Sequence, residues 1–183
     1  MKRSNTDGFY VPLCVAFGRY PAAADEIGLT GLWFDGEKYV AVNLPAEHTQ
    51  RETPILAEAR CWLDIYFAGN EPDFMPPLHP AGSAFRQEVW EILLQIPYGK
   101  TTTYGKIARQ LSEKRGRPRM SAQAVGGAVG HNEIYGIISC HRVAGANGSL
   151  TGYAGGIVKK HRLLELEGAD MTGCFVPEKG TAL

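Results

Sequence analysis

Ser121-Ala122-Gln123-Ala124-Val125-Gly126-Gly127-Ala128-Val129-Gly130 has the punctuation of a helix but almost no large side chain. A helix from about Ser121 to Gly130 is expected. Each glycine weakens a helix by about 1 kcal/mol relative to alanine, so three of them need an offsetting gain. Close approach of the backbone to another surface supplies one, and two surfaces qualify: a nucleic-acid groove or a helix of the same domain. Upstream, Thr103 to Leu111 has the spacing of a second short helix, and the pair predicts a helix-turn-helix-like unit.

The chain around these helices is basic. Between residues 100 and 131, Lys100, Lys106, Arg109, Lys114, Arg115, Arg117 and Arg119 meet Glu113 alone, a net of +6 in a protein whose 19 basic and 19 acidic residues cancel. A neutral chain with one basic stripe can hold a polyanion locally; a solvated loop from Glu113 to Arg119 accounts for the charge equally well.

Downstream, Ile134 to Ile138 reads as a buried strand leading to Cys140, His141 and Arg142. A thiolate is strongly nucleophilic, and a nearby imidazole or cation favours it at neutral pH. A lone cysteine ending an apolar strand is nevertheless more often a small core residue, so the tripeptide alone does not establish a nucleophile. Asn147-Gly148 marks a turn, residues 152–156 a glycine-rich loop, and Ile157 to Glu167 a last helix, with a poorly ordered tail expected from Asp170.

On the other side, Ser83 caps a helix with the stripe Phe85, Val89, Ile92, Leu93 and Ile96, ended by Pro97. Residues 72–80 are proline-rich and read as an extended linker. The expected organisation is therefore a domain over 1–78, a second over 79–169 and a tail over 170–183. In the first domain, Leu29 to Phe34 and Lys38 to Val42 suggest a hairpin around Asp35-Gly36 within an antiparallel sheet. Glu52 to Phe67 should be a helix covering it through Leu56, Ala59, Leu63, Tyr66 and Phe67.

No apolar run approaches the roughly 20 residues that span a bilayer, and residues 1–7 lack the apolar core of a signal peptide, so a cytoplasmic protein is expected. Cys14, Cys61, Cys140 and Cys174 are scattered, as reduced thiols would be. With His48 and His79 they show no convincing zinc spacing, and no metal or cofactor is expected.

Taken together, Phe85-Arg86-Gln87-Glu88-Val89-Trp90, Ile96-Pro97-Tyr98-Gly99-Lys100-Thr101-Thr102-Thr103-Tyr104, Ala124-Val125-Gly126-Gly127-Ala128, His131-Asn132, Cys140-His141-Arg142-Val143, Gly152-Tyr153-Ala154-Gly155-Gly156 and Leu163-Leu164-Glu165-Leu166-Glu167-Gly168 resemble, in that order, the O6-alkylguanine-DNA alkyltransferases, or methylated-DNA–protein-cysteine methyltransferases. Over residues 9–78 the likeness is looser, resting on residues 27–34 and 63–67. The resemblance implies an α+β fold: an amino-terminal antiparallel sheet with a helix, ribonuclease H-like, then a mostly helical domain with a helix-turn-helix. It implies a monomer that binds double-stranded DNA containing O6-alkylguanine, not a membrane. The lesion is extruded and its alkyl group transferred irreversibly to the protein's own cysteine, with O4-alkylthymine as a further substrate left open.

By position, the resemblance makes Cys140 the acceptor, His141 its base through a water, Glu167 the carboxylate orienting that imidazole, Asn132 the holder of the turn, and Tyr104 a donor toward guanine N3 that also rotates the phosphate. Val143, Tyr153, Ala154 and Gly155 would form the base pocket. Gln123, Ala122, Gly126, Gly127, Thr103 and Arg119 would meet DNA, with the glycine-rich helix in the minor groove. Three positions depart from the pattern. Ser139 stands where proline is usual, Gln123 where an arginine often fills the gap left by the flipped base, and Glu133 where proline is common. The first loosens the approach to Cys140 or is neutral, and the second predicts weaker or more salt-tolerant binding. The third raises the thiol pKa, repels phosphate or points to water. A non-transferring lesion sensor of the same lineage is the alternative, although such relatives usually replace the cysteine with tryptophan; a cysteine hydrolase would not explain the basic helix pair.

Overall fold

The structure, a computed structural model, describes residues 8–15, 18–35 and 48–177. Contacts divide the chain into two units, Met1–Ala81 with Glu133–Tyr135, and Gly82–Asn132 with Gly136–Leu183.

The first unit is built on a four-stranded sheet ordered β3-β2-β1-β4, from β1 (Gly8–Val15), β2 (Gly18–Ala24), β3 (Leu29–Leu32) and β4 (His48–Thr49). β1 pairs antiparallel with β2, and β2 with β3, but β1 and β4 run parallel, so the sheet is mixed where an antiparallel one was expected. The Lys38–Val42 strand and the hairpin turn at Gly36 lie outside the described residues. Helix α1 (Pro54–Phe67) starts where Thr53 accepts the Leu56 amide at 3.3 Å and Pro54 fills the first turn, which needs no amide hydrogen. Its buried face is the one expected plus Trp62, which stacks on Tyr66 at 4.9 Å, while Phe67 meets Tyr20 of β2 at 4.9 Å. Burial of each such side chain contributes about 1.5–3 kcal/mol.

The proline-rich segment is held rather than free: the Leu29 amide donates to the Pro77 carbonyl at 2.7 Å and the His79 amide to the Leu29 carbonyl at 2.8 Å. Asp25 folds the β2–β3 turn by accepting the Ile27 and Gly28 amides, and its other oxygen meets His79 Nδ1 at 2.6 Å. Residues 133–135 extend this unit, with the Leu32 amide on the Glu133 carbonyl and the Tyr135 amide on the Leu32 carbonyl. The expected strand from Ile134 to Ile138 is thus a single bridge at Ile134 followed by a turn, because Gly136 takes φ +79°, which no strand continues through.

The second unit holds α2 (Ala84–Leu94), α3 (Tyr104–Lys114), α4 (Ala122–Gly130) and α5 (Ile157–Leu166), with a small parallel pair, β5 (Thr102–Thr103) and β6 (Val143–Ala144). Ser83, Thr103 and Ser121 each accept an amide three residues on, starting α2, α3 and α4. α2 is tied to α4 by Trp90, whose indole donates to the Ala128 carbonyl at 3.0 Å. It is tied to α3 by a two-pronged Arg115–Glu88 pair at 2.9 and 3.0 Å and by Lys114–Glu91 at 3.3 Å. The tail expected to be poorly ordered is instead held by backbone hydrogen bonds as far as Phe175. Phe175 exchanges backbone hydrogen bonds with Gly148 and Leu150, while Met171 and Cys174 cover a cluster of Ala144, Leu150 and Leu164. No helix among the described residues is long and apolar enough to cross a membrane.

Candidate active site

Cys140 opens a three-residue 3-10 turn, Cys140–Arg142, gripped by side chains on both sides. Ser139, buried, donates its hydroxyl to the Leu93 carbonyl at the end of α2, and Arg142 donates to the Ile96 carbonyl just beyond. The Leu93 carbonyl also accepts the Ile96 amide at 3.2 Å, so Ser139 adds a second donor there while Arg142 supplies the one at Ile96, and the turn is pinned to the helix terminus. Serine in place of proline therefore brings an anchor of its own, and its φ of −74° lies in the range a proline ring imposes.

Beneath the turn lies a charged constellation. Glu167, which ends α5, accepts His141 Nε2 at 2.6 Å and Arg142 at 3.0 Å on one oxygen, and Arg142 Nε at 2.9 Å and the Gly99 amide at 3.2 Å on the other. Burial pushes this carboxyl up, but the hydrogen bonds from His141 and Arg142 outweigh it and hold it at about 2. Burial acts on His141 in the opposite sense: it lowers the imidazole pKa against the pull of Glu167, so the ring rests neutral and can take up a proton. The Arg142 guanidinium also lies over the Tyr98 ring at 5.6 Å.

The thiol is only 2% exposed, and Asn132 donates to Sγ at 3.0 Å and to the Ile138 carbonyl at 2.9 Å. Contrary to the expectation of a thiol ionised by its neighbours, burial pushes Cys140 up to about 11, with the Asn132 hydrogen bond and the Lys160 charge pulling back. At pH 7 only about one molecule in 10⁴ then carries a thiolate. A sulfur in this environment can act as a nucleophile only if a base removes its proton.

Around this centre stand the other expected pocket residues. Tyr104, the first residue of α3, donates its hydroxyl to the Thr151 carbonyl at 3.0 Å, and burial pushes its phenol up to about 12. Gly152, at φ +72°, makes that approach possible, since a Cβ there would sit 2.4 Å from the phenolic oxygen. Tyr153 is buried with its ring edge-on to His141 at 6.5 Å. Ala154 and Gly155 turn the loop that follows, and Val143 is buried in β6.

The residues expected to meet DNA form a separate set. Ala122 and Gln123 are exposed in the first turn of α4, and Arg119 is exposed just before it. With Arg109, Ser112 and Ser121 they line a groove of about 860 Å³. An added Cβ at Gly127 would meet nothing within 4 Å, and one at Gly126 only the Tyr104 ring at 3.8 Å. Packing inside the unit therefore demands neither glycine. Thr103 is committed to capping α3. Of the seven basic residues in the stripe, Lys114 and Arg115 are engaged by α2.

Lys160 was not recognised from sequence. It is fully buried and donates to the Val143 and Thr151 carbonyls at 2.5 and 2.8 Å. Its signal was positional: residue 160 shares a helix face with Leu163, Leu164 and Glu167. Among the described residues no group of three or more His, Cys, Asp or Glu is arranged to hold a metal.

Comparison with known proteins gives a consistent picture. The family described as "6-O-methylguanine DNA methyltransferase, DNA binding domain" matches residues 84–169. The methylated-DNA–protein-cysteine methyltransferase of Haemophilus influenzae is 40% identical over 151 residues, 82% of this chain and 80% of that protein. Its namesake in Methanosarcina acetivorans is 45% identical over 148 residues, 80% of this chain and 90% of that one. A crystal structure of Mycobacterium tuberculosis OGT in complex with DNA superposes with a TM-score of 0.70 at 36% identity, covering 91% of this chain and 98% of the other.

Proposed function

The chain belongs to the methylated-DNA–protein-cysteine methyltransferase family of DNA-repair enzymes, and from that premise we propose that Cys140 is its alkyl acceptor and O6-alkylguanine in duplex DNA its substrate. The observation that carries the proposal is the buried line from the Cys140–His141 turn to Glu167, with Asn132 donating to the sulfur. A thiol near 11 is inert until its proton leaves, and His141 is the neutral base beside it, its imidazolium form stabilised by Glu167 at 2.6 Å.

The chemistry balances without a cofactor. The thiol proton passes to His141, through a water in the family mechanism. Sulfur attacks the alkyl carbon as the bond to O6 breaks, and the bond's electron pair stays on guanine, which takes up one proton. Thiol and O6-alkylguanine become thioether and guanine. Tyr104 assists by turning its single hydroxyl hydrogen from the Thr151 carbonyl toward N3 of the departing base, and Val143, Tyr153, Ala154 and Gly155 enclose it. A thioether has no good leaving group, so each molecule acts once.

The carbon on O6 is out of reach within a base stack, so the nucleotide must be extruded, at a cost of a few kcal/mol. α3 and α4 are read as a helix-turn-helix whose second helix enters the minor groove, in support of which Gly126 and Gly127 present backbone where no internal packing requires it. Gln123 wedges the gap and Arg119 meets phosphate. Incubation with duplex DNA containing O6-methylguanine, followed by peptide mass spectrometry, tests the reading. A single added methylene mass on the Cys140 peptide is expected. Tight lesion binding with no adduct would identify a sensor and overturn the transferase.

A further inference from the structure

Helix α5 presents two ionisable groups of opposite sign on one buried face, seven residues apart. Glu167 serves His141. Lys160 has no part in the chemistry above, yet it is fully buried, an expensive arrangement for an ammonium unless something is gained. Its Nζ donates to the carbonyls of Val143, in β6, and Thr151, at the start of the glycine-rich loop. The Thr151 carbonyl also accepts the Tyr104 hydroxyl. Lys160 thus joins the strand leaving the nucleophile to the loop carrying Tyr153, at the point where Tyr104 docks.

Its charge acts on the reacting pair as well. The groups bearing on Cys140 are Lys160 from α5, Asn132 after α4, Tyr104 from α3 and His141 in its own turn, with Arg142 and Glu167 beyond the imidazole; Lys160 is the one cation among the groups that hold the thiol down. Lys160 itself feels Cys140 and Cys174. One end of α5 therefore favours a negative sulfur and the other a positive imidazole.

Resting on the reading of Cys140 as acceptor, we infer that Lys160 is a positioning residue for the transfer: its ammonium fixes the two pocket walls at Val143 and Thr151 and, paired in function with Glu167, polarises the site so that the thiol proton moves from sulfur to His141. Burial lowers the Lys160 pKa to about 8, so the charge is present at neutral pH and is lost just above it.

The test uses the whole protein with Lys160→Gln and Lys160→Arg. The rate of Cys140 alkylation by iodoacetamide, read on the Cys140 peptide from pH 6 to 10, reports the thiolate without DNA. Lys160→Gln is expected to be near tenfold slower below about pH 8, with the gap closing toward pH 10 as the parent's own ammonium loses its proton, while Lys160→Arg restores the rate at neutral pH. Coincident profiles for Lys160→Gln and the parent overturn the inference. Should Lys160→Gln not fold, the parent protein decides: methyl transfer from O6-methylguanine duplex should fall above pH 8 and lose that fall in Lys160→Arg. Transfer that keeps rising through pH 9.5 overturns the inference. A parent protein that takes no methyl group at any pH refutes the transferase reading instead, and the iodoacetamide profiles still report Lys160.

Discussion

Replacing Glu167 with glutamine removes the charge on which the site's hydrogen bonds converge. In the folded protein this carboxyl is held at about 2 against an ordinary 4.5. At about 1.4 kcal/mol per pKa unit, the difference corresponds to about 3 kcal/mol of native-state stabilisation at neutral pH. The sign follows from the direction: a depressed carboxyl stabilises the fold fully above pH 4.5 and ceases to do so as the pH falls through about 2. An amide in its place accepts on one atom only and turns N–H groups toward Arg142 or Gly99, leaving a buried guanidinium without its counter-charge, a loss of about 3–5 kcal/mol. Urea unfolding of parent and Glu167→Gln, from pH 7 down to pH 3, should show a gap of about 3 kcal/mol or more at pH 7 that narrows below pH 4.5. Methyl transfer should slow by about 10² or more, because the imidazolium loses its partner. A gap below about 1 kcal/mol at pH 7, or one that does not change with pH, would refute the reasoning.

Ser139→Ala should lower stability by about 0.5–1.5 kcal/mol in urea unfolding, because the Leu93 carbonyl loses one of its two donors and keeps only the Ile96 amide. Arg119→Ala should reduce the salt dependence of DNA binding by about one counterion in a fluorescence titration, whereas Arg115→Ala should leave the slope unchanged, its guanidinium being held by Glu88. Gln123→Arg should steepen the same slope and tighten binding at low salt; an unchanged affinity removes the wedge role of residue 123.

The helices were legible because their caps and stripes are local. Ser83 stands where an oxygen can take a free amide, and Val89 and Leu93 recur at the helical period; the caps at Thr103 and Ser121 emerge only with the structure. β1 and β2 were not read as strands: Pro12, Pro21 and three successive alanines have low strand propensity, and their pairing comes from the partner strand. The apolar run Ile134–Ile138 looked like a strand because burial, not backbone geometry, sets its composition, and Gly136 bends it. In the candidate site, neighbours in sequence were easy to group and the rest came through the family resemblance, which assigned Glu167 but carried no reading of Lys160. A lysine on a buried helix face is recognised only once the carbonyls that receive it are known. Even the thiol's ionisation was misjudged, since sequence reveals its charged neighbours and not its desolvation.

Residues 133–135 belong to the first unit although the chain on both sides belongs to the second. No single scission can therefore separate the two as whole bodies. A protease cutting near residue 81 would leave three residues of the first unit on the larger fragment, along with the groups that bond both sides of Leu32 and the Tyr135 ring that stacks on Phe34. Any attempt to prepare the second unit alone has to supply a substitute for that missing strand edge or excise the detour.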